Sequence, residues 1–159
     1  MEKIQRIKRA SQQTEELISN WENILMNLTE EQITVNRNSQ NRNIKQILGH
    51  LVDSSVNNHH RIVRLQYLKR LYFPDYQPDN DTWIHIQNYE NADWVNLVQF
   101  WKLYGFHLSY IMSQVNEKDL NNLWTDGFIK PVSLEDIIIG FPEHLKLHLN
   151  EIHELMKMK

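Results

Sequence analysis

Four stretches of the chain repeat apolar residues every three or four positions. The first covers residues 3–28, with Ile4, Ile7, Leu17, Ile18, Trp21, Ile24, Leu25 and Leu28. That spacing stacks apolar side chains on one face of a 3.6-residue helix, so it predicts one amphipathic helix ending near Thr29. Residues 29–42 are polar and rich in Asn, and predict a loop. A second stretch, from about Ile44 to Lys69, sets Ile44, Ile47, Leu48, Leu51, Ile62 and Leu65 on one side. Ser39 or Asn41 is the expected cap. Pro74 and Pro78 then break the pattern, so residues 71–90 predict a long crossover connection. Its aromatic content implies packing, and long ordered loops in small domains are often functional.

The third stretch is expected to begin near Asn91, a plausible N-cap, and carries Trp94, Val98, Trp101, Leu108, Met112 and Val115. Residues 117–132 form another connection, with Asp126-Gly127 as a turn signal. The flanking Leu123-Trp124 and Phe128-Ile129 predict a very short hairpin. Ser133 opens the last helix, with Asp136 in the place of a capping-box Glu. Pro142 would normally break that helix. Yet Leu134, Ile137, Ile138, Phe141, Leu145, Leu149, Ile152 and Met156 keep one phase across it. One kinked helix over about 134–157 is therefore predicted. Two shorter helices, with Pro142 in the first turn of the second, are the alternative. Four such helices with long connections predict an all-α four-helix bundle. The second-to-third connection is long enough for non-sequential neighbours.

Composition narrows the function. The 159 residues suit a single domain spanning 1–159, large enough for a core without staples. Without cysteine there is no disulfide, no thiolate ligand and no cysteine nucleophile. A net charge of -3 gives no electrostatic reason to expect nucleic acid as a partner. No apolar run is long enough to cross a membrane, and the N-terminus has no signal-peptide core. A soluble cytoplasmic protein is expected. The sequence contains no His-Glu-x-x-His, no Gly-rich phosphate loop, no nucleophile elbow and no Glu-x-x-His pair.

The chemistry-bearing residues are histidines, of which there are eight. His144 and His148 stand four apart, so on a helix they share a face and can converge on one ion. They flank the apolar stripe, which places them at the edge of the core. Boundary histidines bonded to backbone or water are the bland alternative. His50 shares a face with Gln46, Asp53, Ser54, Asn57 and Arg61. That stripe reads either as a solvated surface or as the polar lining of a cleft, with His50 as a ligand and Asp53, Asn57 and Arg61 serving substrate or the ligand shell. Three neutral imidazoles with an open position describe a catalytic rather than a structural metal site. Metal-bound imidazoles usually donate their other N–H to a carboxylate or carbonyl, and Asp53, Glu151 and Glu143 are candidates. His59 and His60 are adjacent and point about 100° apart, so they cannot face one site together. Together with His85, His107 and His153, they read as structural or surface residues. The five tryptophans read as core and loop anchors.

Two segments carry a resemblance. Ile44-Lys45-Gln46-Ile47-Leu48-Gly49-His50-Leu51-Val52-Asp53-Ser54 resembles the second-helix motif of the DinB-like superfamily. Ser133-Leu134-Glu135-Asp136, followed by His144-Leu145-Lys146-Leu147-His148-Leu149-Asn150-Glu151-Ile152, resembles its last-helix motif. The resemblance implies a bundle of the DinB/YfiT-like kind, often a homodimer. It implies one divalent metal ion, zinc or nickel, on His50, His144 and His148. Asn41-Arg42-Asn43 stands where relatives often carry Trp-Ser, which affects capping and not the ligands. Some relatives transfer low-molecular-weight thiols, others are isomerases, and many are labelled hydrolases. An ion with an open position makes a nucleophile of bound water or thiol at neutral pH, which serves hydrolysis and thiol transfer alike. Three neutral ligands leave the ion's charge intact and favour an anionic ligand, and Arg61 is suited to a substrate carboxylate. The expected function is a metal-dependent enzyme, hydrolase-like or transferase-like, acting on a small molecule. A thiol S-transferase specifically and a non-catalytic dimerising helical module are the alternatives.

Overall fold

The computed structural model describes residues 2–158. The four predicted helices are present as α1 (Glu2–Met26), α3 (Ile44–Leu65), α5 (Trp94–Ser113) and α6 (Leu134–Lys157). Both α1 and α3 pack against α5 and α6. Consecutive long helices α1 and α3 thus lie diagonally across the bundle, and the chain crosses over between them. None of the described helices is long and apolar enough to cross a membrane.

The connections are more structured than the periodicity implies. Residues 30–34, expected as loop, form the short helix α2 (Glu30–Thr34). Thr29 and Gln32 make a reciprocal capping box there, and Ile33 is buried beneath it. The cap of α3 is Asn43, paired reciprocally with Gln46, rather than Ser39 or Asn41. Asn41 instead takes a left-handed backbone. Asp93, not Asn91, caps α5. In the crossover after α3, Asn80–Ile86 form α4.

The expected hairpin is replaced by a three-stranded sheet. Strand β1 (Arg70–Tyr72) pairs in parallel with β2 (Leu123–Thr125), with Leu71 opposite Trp124. This is why α3 stops at Leu65 and not near Lys69. Strand β2 pairs antiparallel with β3 (Val132–Ser133), Trp124 opposite Val132, not with Phe128-Ile129. The side chain of Asp126 accepts the backbone N–H groups of Phe128 and Ile129, which commits those two residues to the turn. Gly127 turns the chain with φ at 98°.

Helix α6 runs unbroken through Pro142, as its apolar phase predicts. Its first turn is tied by Ser133, whose hydroxyl accepts from the Asp136 N–H and donates to the Asp136 carboxylate. The core has two parts. One gathers Leu25, Leu48, Leu51, Trp101, Leu145 and Leu149. The other gathers Ile62, Leu65, Leu108, Leu134, Ile138 and Phe141. His144 on α6 falls between Phe141 of the second part and Leu145 of the first.

Candidate metal centre

The polar stripe of α3 is not a solvated surface. His50, Asp53 and Ser54 are each 2 % exposed, and Asn57 and Arg61 are buried beside them. The crossover connection covers them with Asp75, Tyr76, Gln87 and Tyr89. Gly49 makes this possible: a Cβ there would stand 2.2 Å from the Tyr89 ring. With that ring lying flat on the helix, the Tyr89 hydroxyl donates to the Asp53 carboxylate at 2.7 Å, and Gln87 donates to it at 2.8 Å. Burial pushes the Asp53 carboxyl up from its ordinary range, against the lowering effect of those two donors. It also pushes the Tyr89 hydroxyl up, so Tyr89 remains the donor.

His50 faces α6 and meets His144 and His148. The candidate ligand atoms of the three all lie within 4.8 Å of one another. Ring centroids are 4.6 Å apart for His50 and His148, 5.5 Å for His50 and His144, and 4.5 Å for the pair on α6. The Nε2 atoms of His144 and His148 approach to 3.1 Å. Two nitrogens sharing one divalent ion, each at about 2.1 Å, stand about that far apart. Their outer nitrogens are engaged from behind. His148 Nδ1 lies 3.1 Å from the Glu151 carboxylate, and His144 Nδ1 lies 3.3 Å from Ser54 Oγ. The carboxylate only accepts, so His148 carries a proton on Nδ1, and Nε2 is the nitrogen turned towards His144.

Electrostatics keeps two of the three donors neutral. Burial, then repulsion from His148, His144 and Arg42, holds His50 down to about 3. Burial and His148 hold His144 down to about 4. Both rings are therefore in the metal-binding form at neutral pH. His50 Nδ1 is buried with no hydrogen-bond partner. The residues present fit a divalent ion: three imidazoles converge, and two are oriented by outer partners.

The other expected site residues divide. Glu151 sits behind His148. Asp53 holds the connection through Tyr89 and Gln87. Asn57 donates to the Asp53 carbonyl and borders a neighbouring cavity of about 320 Å³ with Val56, Phe73 and Trp83. Glu143 lines a groove against α1, away from the histidines. Arg61 borders a cavity of about 180 Å³ that also touches His144, Ser54, Tyr76 and Trp124. The sequence reading missed Tyr76, whose ring lies 5.9 Å from His50 and whose hydroxyl burial pushes up to about 12. It also missed Trp124 as a cavity wall. The only signal for either was the aromatic, proline-broken character of the connections. His59, His60, His85, His107 and His153 lie outside the trio.

Comparison with known proteins agrees with this architecture. The fold is similar to that of YfiT from Bacillus subtilis, a probable metal-dependent hydrolase with an unusual four-helix bundle topology. The TM-score is 0.82 at 16 % sequence identity, over 94 % of this chain and 85 % of that one. No curated protein matches the sequence. The profile of the DinB superfamily matches residues 13–152, so the chain belongs to the DinB superfamily.

Proposed function

We propose that His50, His144 and His148 bind one divalent ion, and that the protein is a metal-dependent enzyme acting on a small molecule. The observation that carries this is the convergence of three buried or half-buried imidazoles, two of them with outer nitrogens engaged by Glu151 and Ser54. Imidazole donors suit zinc and nickel among the common divalent ions. When bound, such an ion lowers the pKa of a coordinated water or thiol and so supplies a nucleophile at neutral pH.

The chain's own residues do the rest. Glu151 and Ser54 orient the α6 histidines. Asp53, through Tyr89 and Gln87, fastens the connection that shields His50 from solvent. Tyr76 and Arg61 offer donors to whatever occupies the cavity beside His144. Hydrolysis is the reading favoured by the similarity to YfiT. Thiol S-transfer is supported by a separate feature: the larger apolar cavity across Tyr76, bordered by Phe73, Pro74 and Trp83, has room for a second substrate.

We also propose a homodimer formed through the outer face of α5, where Phe100, Leu103 and Tyr110 are exposed. Absence of cysteine is consistent with a reducing cytoplasm as its location. Metal analysis of protein purified without an affinity tag tests the central claim. One ion per chain is expected. An ion-free protein that also fails to bind added zinc or nickel would leave the non-catalytic helical module as the reading. Hydrolysis of model esters and amides, set against thiol conjugation of model electrophiles, separates the two chemistries. Sedimentation equilibrium tests the dimer.

A further inference from the structure

The cavity beside His144 indicates what kind of substrate it takes, an inference that rests on the metal site proposed above. Arg61 is 5 % exposed and held from two sides. Its guanidinium lies 3.7 Å from the centroid of the Trp124 ring, and its Nη2 donates to Asp75 at 2.9 Å. The plane of the fork cannot swing without losing both contacts. Yet its Nε is buried without a hydrogen-bond partner. A guanidinium has five N–H donors in one plane, and a buried charged donor without an acceptor is costly. The Tyr76 hydroxyl is buried too, with no hydrogen bond of normal geometry, and the Ser54 side chain stands beside it. Both residues border the same cavity as His144. Its other wall is apolar, formed by Trp124, Val132, Ile137 and Phe141. Asp136 stands at the exposed rim, where Ser133 engages it.

We propose that this cavity binds a small carboxylate with an apolar body, its carboxylate held by Arg61 and Tyr76 and its apolar part against Trp124 and Phe141. A planar carboxylate accepts two parallel bonds from a guanidinium, which a neutral amide of the same shape cannot match. The rival is that Arg61 only ties α3 to the crossover connection and the sheet. In that case a ligand's charge would make no difference at Arg61.

Zinc-loaded protein titrated with benzoate and with benzamide in a calorimeter distinguishes the two, with zinc content and melting temperature read on the same samples. Benzoate should bind at least about tenfold more tightly than benzamide. Arg61→Lys keeps a cation for Asp75 but loses the fork, and Tyr76→Phe removes only a hydroxyl. Each should cost benzoate about tenfold while zinc stays at one per chain, and Tyr76→Phe remains readable if Arg61→Lys fails to fold. Equal binding of the two probes, no heat with benzoate, or a preference that survives every folded variant would overturn the carboxylate assignment alone. Wild-type protein that takes up no zinc would overturn the metal reading instead.

Discussion

His50, His144 and His148 meet between α3 and α6. His59, His60 and His107 gather between α3 and α5, about two and a half turns further along the same helix. The rings are comparably close in both groups: 5.5 Å for His50 and His144, 5.6 Å for His59 and His107. What differs is where the nitrogens point and what surrounds them. In the first group two Nε2 atoms face each other, and the outer nitrogens belong to Glu151 and Ser54. In the second, His59 Nδ1 is taken by the Tyr104 hydroxyl at 2.6 Å, and His60 stacks on Phe73. His60 and His107 are exposed. Ring proximity is the same in the two groups; the outer partners of the nitrogens are what set them apart.

The strongest way to break this comparison is to remove histidines from each group. His50→Ala, His144→Ala and His148→Ala should each lower zinc affinity by more than 100-fold, beyond the roughly 10–100-fold expected from losing an outer partner. The helical fold should survive, because apolar packing stabilises it. His59→Ala or His107→Ala with an equal loss in a zinc titration would show the two groups to be alike. Glu151→Gln sharpens the role of the outer partner. It should cost roughly 10–100-fold in affinity while the far-ultraviolet dichroism stays unchanged. Gly49→Ala should destabilise by about 1–3 kcal/mol in urea denaturation, because the added methyl drives into the Tyr89 ring that seals the first group. A melt matching wild type would mean that the connection does not rest on α3.

A further effect follows from protons. The unfolded chain takes up protons on histidine near pH 6.5, whereas folded His50 and His144 refuse them until about pH 3 and 4. Folded values below unfolded ones mean that the unfolded state binds more protons, so metal-free protein should lose stability as pH falls from 6.5 towards 5. Thermal melts across that window should slope for wild type and flatten in a His50→Leu, His144→Leu double variant. An unchanged slope in that variant would assign the effect to other groups, His59 first among them. Smallest of all, His107→Ala should shift folding stability by no more than about 0.5 kcal/mol, because its ring is exposed.

The helices and the histidine spacing were legible because both depend on period. Leu145 and Leu149 continue the phase of Ile138 across Pro142, and His144 and His148 ride beside that phase. The four long helices can therefore be read from composition along a single line. What stayed hidden depends on contacts between distant segments. No local pattern pairs Leu71 with Trp124, and so none reveals that the wall of the cavity is a strand. Asp53 looked like a partner for His50 because it stands one turn away. Its carboxylate instead serves Tyr89, more than thirty residues on. Helix α2 was legible in principle, through Thr29 and Gln32, but five residues are too few to show a period.

The three histidines come from α3 and α6, helices far apart in sequence. An ion there belongs to the folded state alone, since the unfolded chain does not hold the three rings together. Occupancy and folding are then one coupled equilibrium. Free zinc at 100 times its dissociation constant would raise folding stability by about 2.7 kcal/mol. A melting curve followed against zinc concentration would thus report the affinity of the site directly, with no knowledge of any substrate.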